Sequence, residues 1–252
     1  MWKIGFLEKR KVAEGTKIYS FDKPDDFQFT EGQYIEMELF NVKDPEVSHD
    51  SKHFFSIASS SCDETLDFLT RVRESKFKQA LDSLVRGDKV GISESEGSFV
   101  LEESGLKNSD GEILLIVGGV GISAARAIIR GVECHNEAKY KESLKLLYSN
   151  RSVESAAVLD ELADIGWLDQ SLFFTRRVSR GSLQEVYGDK IDAIRVYEER
   201  IDSSHFKRLT NDFDNARFFV VGPPGFVRGM KGVLLDLGVV RDYIFSDSFA
   251  GY

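Results

Sequence analysis

The 252-residue chain reads as two domains in series, an antiparallel β-barrel or sandwich followed by a doubly wound parallel α/β sheet. Three observations carry that expectation. From Trp2 to about Leu101, short apolar runs alternate with polar residues at the period of a strand that buries one face. Beyond residue 105 the apolar runs become continuous and are separated by helical patterns, as expected of parallel strands covered on both sides. Between the two textures lies GLKNSDG, Gly105 to Gly111, a polar and turn-rich stretch. It sets the domains at 1–105 and 111–252.

In the front domain, Ile35, Met37 and Leu39 alternate with Glu36 and Glu38, and Leu66, Phe68, Thr70 and Val72 alternate with Asp67, Leu69, Arg71 and Arg73. One helix interrupts the strands. Phe77, Ala80, Leu81, Leu84 and Val85 recur at helical spacing, with Ser75 placed to cap the start and Gly87 the end. In the rear domain, Ile113 to Val117 is a strand buried on both faces, leading through Gly118-Gly119-Val120-Gly121 into a helix from Ile122 to Val132. Further buried strands are expected at Leu144 to Tyr148, Leu172 to Thr175, Arg217 to Val221 and Tyr243 to Phe245, with helices at Val153 to Ala163 and Phe226 to Leu237.

Composition excludes several classes of function. Lys and Arg number 33 against 42 Asp and Glu, a net charge of −9, which suits neither nucleic acid nor an anionic membrane surface. The longest uncharged apolar stretch, Ile113 to Ala125, falls short of the roughly 20 residues that cross a bilayer. The amino terminus does not read as a secretory signal, so a cytoplasmic location is expected. Two cysteines, Cys62 and Cys134, are too few for a cysteine-ligated iron–sulfur cluster or a structural zinc site. No metal is expected, and both thiols read as buried or idle.

A glycine-rich turn between a buried strand and a helix lets backbone approach a pyrophosphate, whose charge meets the free amides of the helix start. Gly118, Gly119 and Gly121 have that context, although their spacing departs from G-x-G-x-x-G and a plain tight turn is an equal reading. A second loop, Gly222-Pro223-Pro224-Gly225, also follows an apolar strand and precedes a helix. Two such loops at carboxyl ends of strands in one sheet would flank one crevice. In the front domain, HFFSIASS at residues 53–60 reads by itself as a barrel strand with buried phenylalanines and hydroxyls paired to backbone.

Taken together, HFFSIASS, GSFVL at Gly97 to Leu101, GGVGIS at Gly118 to Ser123, LLYSNRS at Leu146 to Ser152, VVGPPGFV at Val220 to Val227 and the terminal SFAGY follow an order that resembles the ferredoxin-NADP reductase family. The similarity is to short, single-chain bacterial members without a fused ferredoxin domain. It implies an FAD-binding β-barrel before an NAD(P)-binding α/β domain, and a flavoenzyme that moves hydride from NAD(P)H to FAD and electrons on to an acceptor.

The resemblance also implies roles. The family's R-x-Y-S falls on His53, Phe54, Phe55 and Ser56, with Phe55 stacking on the flavin and Ser56 beside the ring nitrogen that receives hydride. Ser75, Lys76 and Phe77, at a helix start, would meet the FAD pyrophosphate, as would Arg71. Gly118, Gly119, Val120, Gly121 and Ile122 would hold the nicotinamide dinucleotide, and Gly222, Pro223 and Pro224 would guide the nicotinamide. Phe249 and Tyr252 resemble the closing aromatic segment, and Asp247 takes the place of a carboxylate near the flavin; Ser56 and Asp247 are the catalytic candidates. Asn150, Arg151, Thr175 and Arg176 follow the second and third strands, where arginines would favour NADPH over NADH through its extra phosphate.

Departures from the family's pattern are also visible. His53 stands where the family has an arginine, Ala124 where it has a proline, Val221 where a cysteine is common, and Glu94 and Glu96 lie in a usually uncharged stretch. Ferredoxin or flavodoxin is the expected acceptor, docking on a basic patch of Arg71, Arg73, Lys76 and Lys78, with a small-molecule acceptor as the other choice. The alternative is an electron-transfer subunit of a larger complex without turnover of its own.

Overall fold

The computed structural model describes residues 1–40, 51–72, 75–104, 111–210 and 212–248. Twelve strands among them form two six-stranded sheets, one antiparallel and one parallel. By its contacts the chain divides into two compact units. Residues 1–101 together with 123–134 form the first, and residues 102–122 with 135–251 form the second.

In the first unit, β1 (Trp2–Ala13), β2 (Thr16–Asp22), β3 (Tyr34–Leu39), β4 (Lys52–Ser56), β5 (Thr65–Arg71) and β6 (Lys89–Ile92) are ordered β4-β3-β6-β1-β2-β5. The two ends of that order meet, because Ile57 bridges Phe68 and the Ala58 amide donates to the Asp67 carbonyl at 2.8 Å. This bridge and bond draw the two ends of the order together, in the manner of a barrel. Ile35, Met37 and Leu39 point into the core as their alternation predicts, and so do Leu66 and Phe68, although in β5 Asp67 and Leu69 on the other face are buried as well. Gly15, with φ of +63°, makes the tight reversal between β1 and β2 that an L side chain would resist.

Helix α1 (Lys76–Asp82) carries Phe77 and Leu81 into the barrel core. It is shorter than the apolar spacing suggests. Asp82 accepts from Lys17 Nζ at 2.7 Å and from the Tyr19 hydroxyl at 2.8 Å, which anchors the last turn to β2. Val85 is left outside the helix and exposed. Ser75 occupies the N-cap position, but its hydroxyl makes no capping hydrogen bond. Gly87, with φ of +97°, belongs to the following turn, where its amide donates to the Phe6 carbonyl.

The second unit is a wholly parallel sheet of β7 (Ile113–Gly118), β8 (Leu144–Asn150), β9 (Asp169–Phe174), β10 (Arg195–Tyr197), β11 (Arg217–Gly222) and β12 (Ile244–Ser248). Its order is β10-β9-β8-β7-β11-β12. The strand sequence therefore reverses direction between β7 and β11, the point at which open α/β sheets bind ligands outside their carboxyl ends. Every residue of β7 is buried, as its unbroken apolar run requires.

Helices α2 (Ile122–Cys134), α3 (Ala138–Ser143), α4 (Leu159–Ala163), α5 (Arg180–Tyr187), α6 (Ser203–Leu209) and α7 (Pro224–Asp236) follow in chain order. The helix expected at Val153 to Ala163 is broken: Val153–Ser155 is a 3₁₀ turn, Val158 takes a left-handed φ of +56°, and only then does α4 begin. Helix α7 starts two residues earlier than its apolar pattern, because Pro224 fits the first turn, where its missing N–H is no loss. Strand β10 and helices α3, α5 and α6 have no counterpart in the sequence reading. All four are short and mixed in polarity.

Cys62 and Cys134 are exposed and joined by a disulfide, with Cα atoms 6.5 Å apart. This corrects the expectation of buried or idle thiols. The barrel turn after β4 and the last residue of α2 are held together covalently.

Candidate functional site

In the second unit the two glycine loops lie against each other at the switch point. Gly118 and Gly222 end the paired strands β7 and β11, with Val117 opposite Val221. Contact is so close that Gly118, Gly121 and Gly222 have no room for a side chain. A Cβ on Gly222 would come within 2.9 Å of the Gly118 carbonyl oxygen, and one on Gly121 within 2.8 Å of the Val221 carbonyl oxygen. Gly118 faces the Phe226 ring, where a Cβ would sit at 2.7 Å. Gly119 differs: φ is +54° and no atom of the described residues lies within 4 Å of where its Cβ would stand. The first three glycines permit backbone packing, and the fourth leaves open space above the loop. Val120 is half-buried and Ile122 fully buried, so Ile122 anchors the turn from within.

The other rear candidates converge along the same carboxyl edge. Asn150 ends β8 beside Phe174, and the Thr175 amide donates to the Asn150 carbonyl at 3.1 Å. The Arg176 amide donates to the Arg151 carbonyl at 2.9 Å, so the two loops run side by side with both arginine side chains exposed. Asn150 is 7% exposed, and its Nδ2 makes no hydrogen bond among the described residues. A buried donor without a partner asks for an explanation, and an arriving ligand is one. Asp247 lies opposite Val221 on β12 and is half-buried. Burial pushes its carboxyl pKa up, against a smaller opposing effect of a hydrogen bond from the Ser248 backbone.

In the first unit the HFFS segment is β4. Its neighbours separate its residues sharply. Phe55 is buried in the barrel core, 5.9 Å from Phe77 and 6.2 Å from Phe68 between ring centres. Phe54 is 60% exposed, with the Tyr34 ring edge-on to it at 5.6 Å. The open aromatic face in this motif therefore belongs to Phe54. His53 is half-buried and meets Phe77 edge-on at 4.8 Å. Phe77, at the first turn of α1, is core, while Lys76 beside it is exposed. Arg71 closes β5 opposite Thr16. Lys78 is buried, which removes it from the basic docking patch expected around it. Arg73 lies outside the described residues, as do Phe249 and Tyr252.

Ser56 is 5% exposed, and its Oγ has no hydrogen-bond partner among the described residues. Its carbonyl accepts from Ser123 Oγ at 3.0 Å. Two residues on, the Ala58 carbonyl accepts from Arg126 Nη1 at 2.7 Å. Arg126 is buried and also meets Asp67 Oδ2 at 3.1 Å. Neither Ser123 nor Arg126 was singled out from the sequence as a site residue. The available signal was an arginine at the centre of an otherwise apolar helix, ISAARAII, where a cation is rarely buried without partners.

No family model matches the chain. The reductase component of propane 2-monooxygenase from Mycolicibacterium goodii is 27% identical over 233 residues, covering 90% of this chain and 61% of that protein. The flavohemoprotein of Bacillus subtilis is 24% identical over 249 residues, 97% of this chain and 58% of its own length. The chain thus spans about three-fifths of the curated relatives it matches. Among solved structures, a ferredoxin NADP+ reductase from Neisseria gonorrhoeae with bound FAD and NADP superposes with a TM-score of 0.78 at 16% identity, covering 98% of both chains. The FAD/NAD-binding domain of a Vibrio cholerae nitric oxide dioxygenase gives 0.75 at 18% identity, covering 99% of this chain and 98% of that one. With a six-stranded antiparallel sheet ahead of a six-stranded parallel sheet, the chain has the two-domain fold of that ferredoxin NADP+ reductase.

Proposed function

We propose that the chain is an FAD-dependent NAD(P)H oxidoreductase that passes hydride from NAD(P)H to FAD and electrons onward to an acceptor such as ferredoxin or flavodoxin. The observation that carries this reading is the pair of glycine loops packed on each other at the switch point of the parallel sheet, with open space left above Gly119. Such a surface lets a dinucleotide backbone come close to the loop amides. The names of the relatives, a monooxygenase reductase component among them, support a protein acceptor.

The residues present fit both groups. The buried Oγ of Ser56 and Nδ2 of Asn150 are donors without a partner among the described residues. On the barrel side, His53, Phe54, Phe55, Arg71, Ser75, Lys76 and Phe77 would hold FAD, with Phe54 offering the exposed ring and Phe55 backing the strand from the core; Phe249 and Tyr252 are proposed to cover it. Bound FAD supplies the exchange between two-electron and one-electron chemistry. Ser56 would donate to the ring nitrogen that takes up hydride, and Asp247, its carboxyl pKa raised by burial, would hold a proton for the reduced ring. Gly118 to Ile122 and Gly222 to Pro224 would seat the nicotinamide dinucleotide, NADPH in preference to NADH.

The deciding experiment is to purify the chain with FAD, record its visible absorption and add NADPH without oxygen. Bleaching of the flavin band supports an autonomous reductase; bound flavin that stays oxidised supports a subunit that depends on a larger complex; no bound flavin removes the reading. Replacing Ser56 by Ala is expected to slow anaerobic flavin reduction roughly tenfold or more while FAD stays bound. An unchanged single-turnover rate would refute the role.

Arg176 is proposed to meet the extra phosphate of NADPH. Arg176→Ala is expected to raise the KM for NADPH by roughly tenfold or more, in line with the loss of a charge-assisted contact, and to leave the KM for NADH nearly unchanged. Equal changes for the two coenzymes would count against the assignment.

A further inference from the structure

Helix α2 carries Ser123, Arg126, Arg130 and Cys134 at intervals of three, four and four residues, which lines them along one face. All four meet a single stretch of the barrel, residues 56–67. Ser123 and Arg126 hold the carbonyls of Ser56 and Ala58. Arg130 grips Asp63 with two hydrogen bonds of 2.6 and 3.0 Å, and Cys134 is bonded to Cys62.

The two contacts nearest Ser56 differ from the two beyond. Ser123 and Arg126 are 3% and 6% exposed, whereas the Arg130 side chain is 39% exposed and both cysteines lie at the surface. Docking a helix does not require burying a guanidinium, a burial that apolar packing would replace at no loss of stability. Here the buried cation is aimed at backbone. Its second partner, Asp67, is itself held by the Ser20 hydroxyl at 2.7 Å. The barrel fixes the same peptide from the other side, since the Ile57 amide donates to Gln33 and the Ala58 amide to Asp67. The backbone of residues 56–58 is thus held at two carbonyls and two amides, while the Ser56 hydroxyl has no partner among the described residues. A rigid mount under an unused donor is how a site fixes the direction of a hydrogen bond before its acceptor arrives.

We propose that Arg126, together with Ser123, is a positioning residue that sets the direction of the Ser56 hydroxyl toward the flavin ring; this rests on the reading of the chain as an FAD-dependent reductase. Arg126 Nη1 meets both the Ala58 carbonyl and Asp67, and lysine would keep the charge but replace the rigid planar guanidinium with a flexible stem. Loss of that rigid placement therefore turns Ser56 while leaving the helix in place.

The test uses the full chain loaded with FAD, with Ser123→Ala, Arg126→Lys and Arg126→Met made singly and again in a Ser56→Ala background. Three quantities are read: the rate of anaerobic flavin reduction by NADPH, the Kd for FAD from flavin fluorescence, and the position of the visible flavin band. In the otherwise native chain, each substitution should slow reduction roughly 10- to 100-fold, the scale of a misplaced reacting group. The flavin band should shift and the Kd change by less than about threefold. Combined with Ser56→Ala, the same substitutions should slow reduction no further, because the group they aim is gone. Slowing that persists without Ser56, or an unchanged rate and spectrum in the native background, overturns the proposal. If Arg126→Met fails to fold, Ser123→Ala, which removes one hydroxyl from a helix that tolerates alanine, decides the matter. A native chain that binds no FAD, or is not bleached, fails at the level of the reductase reading, and that is recognised before any variant is made.

Discussion

Gly222→Ala is expected to destabilise the second unit by about 3 kcal/mol and to abolish binding of the nicotinamide dinucleotide. Two effects add. Gly222 has φ of +150°, a conformation that costs an L residue about 1–3 kcal/mol. Its new Cβ would also press on Gly118 within 2.9 Å of the carbonyl oxygen and 3.0 Å of Cα, both backbone atoms that cannot swing aside as a side chain would. Relief requires the β11 loop to lift away from the β7 loop, and that spoils the surface both glycines create. Denaturant unfolding and calorimetric titration with NADP+ measure the two consequences. An alanine variant with native stability would show that the loops are not packed as described. Gly119→Ala makes the informative contrast, because its Cβ enters open space and its cost is confined to the left-handed backbone.

Reduction of the Cys62–Cys134 disulfide is expected to lower the stability of the barrel unit by about 4 kcal/mol. Seventy-two residues separate the two sulfurs in sequence, and closing a loop of that length restricts the unfolded chain by about this amount. The melting temperature should fall by roughly 10 °C on that scale. Comparing thermal unfolding with and without a phosphine reductant checks it, with Cys62→Ser as the covalent control. Coincident melting curves would mean that the Arg126–Asp67 and Arg130–Asp63 pairs already hold α2 without help from the sulfurs. Breaking the buried Arg126–Asp67 pair from one side would itself remove about 3–5 kcal/mol, so each fastening is large enough to measure alone.

The fold was legible where periodicity is strong. The buried run Ile113 to Val117 could only be a central parallel strand, and the alternation at Ile35 to Leu39 only a half-buried one; both stand where their patterns put them. The broken helix after Val153 was not legible, because its interruption depends on Val158 adopting a left-handed conformation that nothing in a β-branched residue announces. Nor was the disulfide. Cysteine spacing says nothing of proximity when the intervening chain passes through a second sheet. At the candidate site, the glycine loops were readable from their place between strand and helix. That Phe55 rather than Phe54 fills the barrel core was not, because both are phenylalanine and only the register of β4 against β3, with Ile35 opposite Phe55, decides which one turns inward.

The division of the chain into units has a consequence for how this protein can be dissected or recombined. The backbone leaves the first unit after Leu101, returns to it at Ser123 and departs again after Cys134. No single scission yields two self-sufficient fragments. A piece stopping at residue 101 would strand the carboxylates of Asp63 and Asp67 without their guanidinium counter-ions, and the complementary piece would carry Arg126 into water with an apolar helix around it. Inheritance, grafting or circular rearrangement of this polypeptide must therefore treat both halves as one cassette.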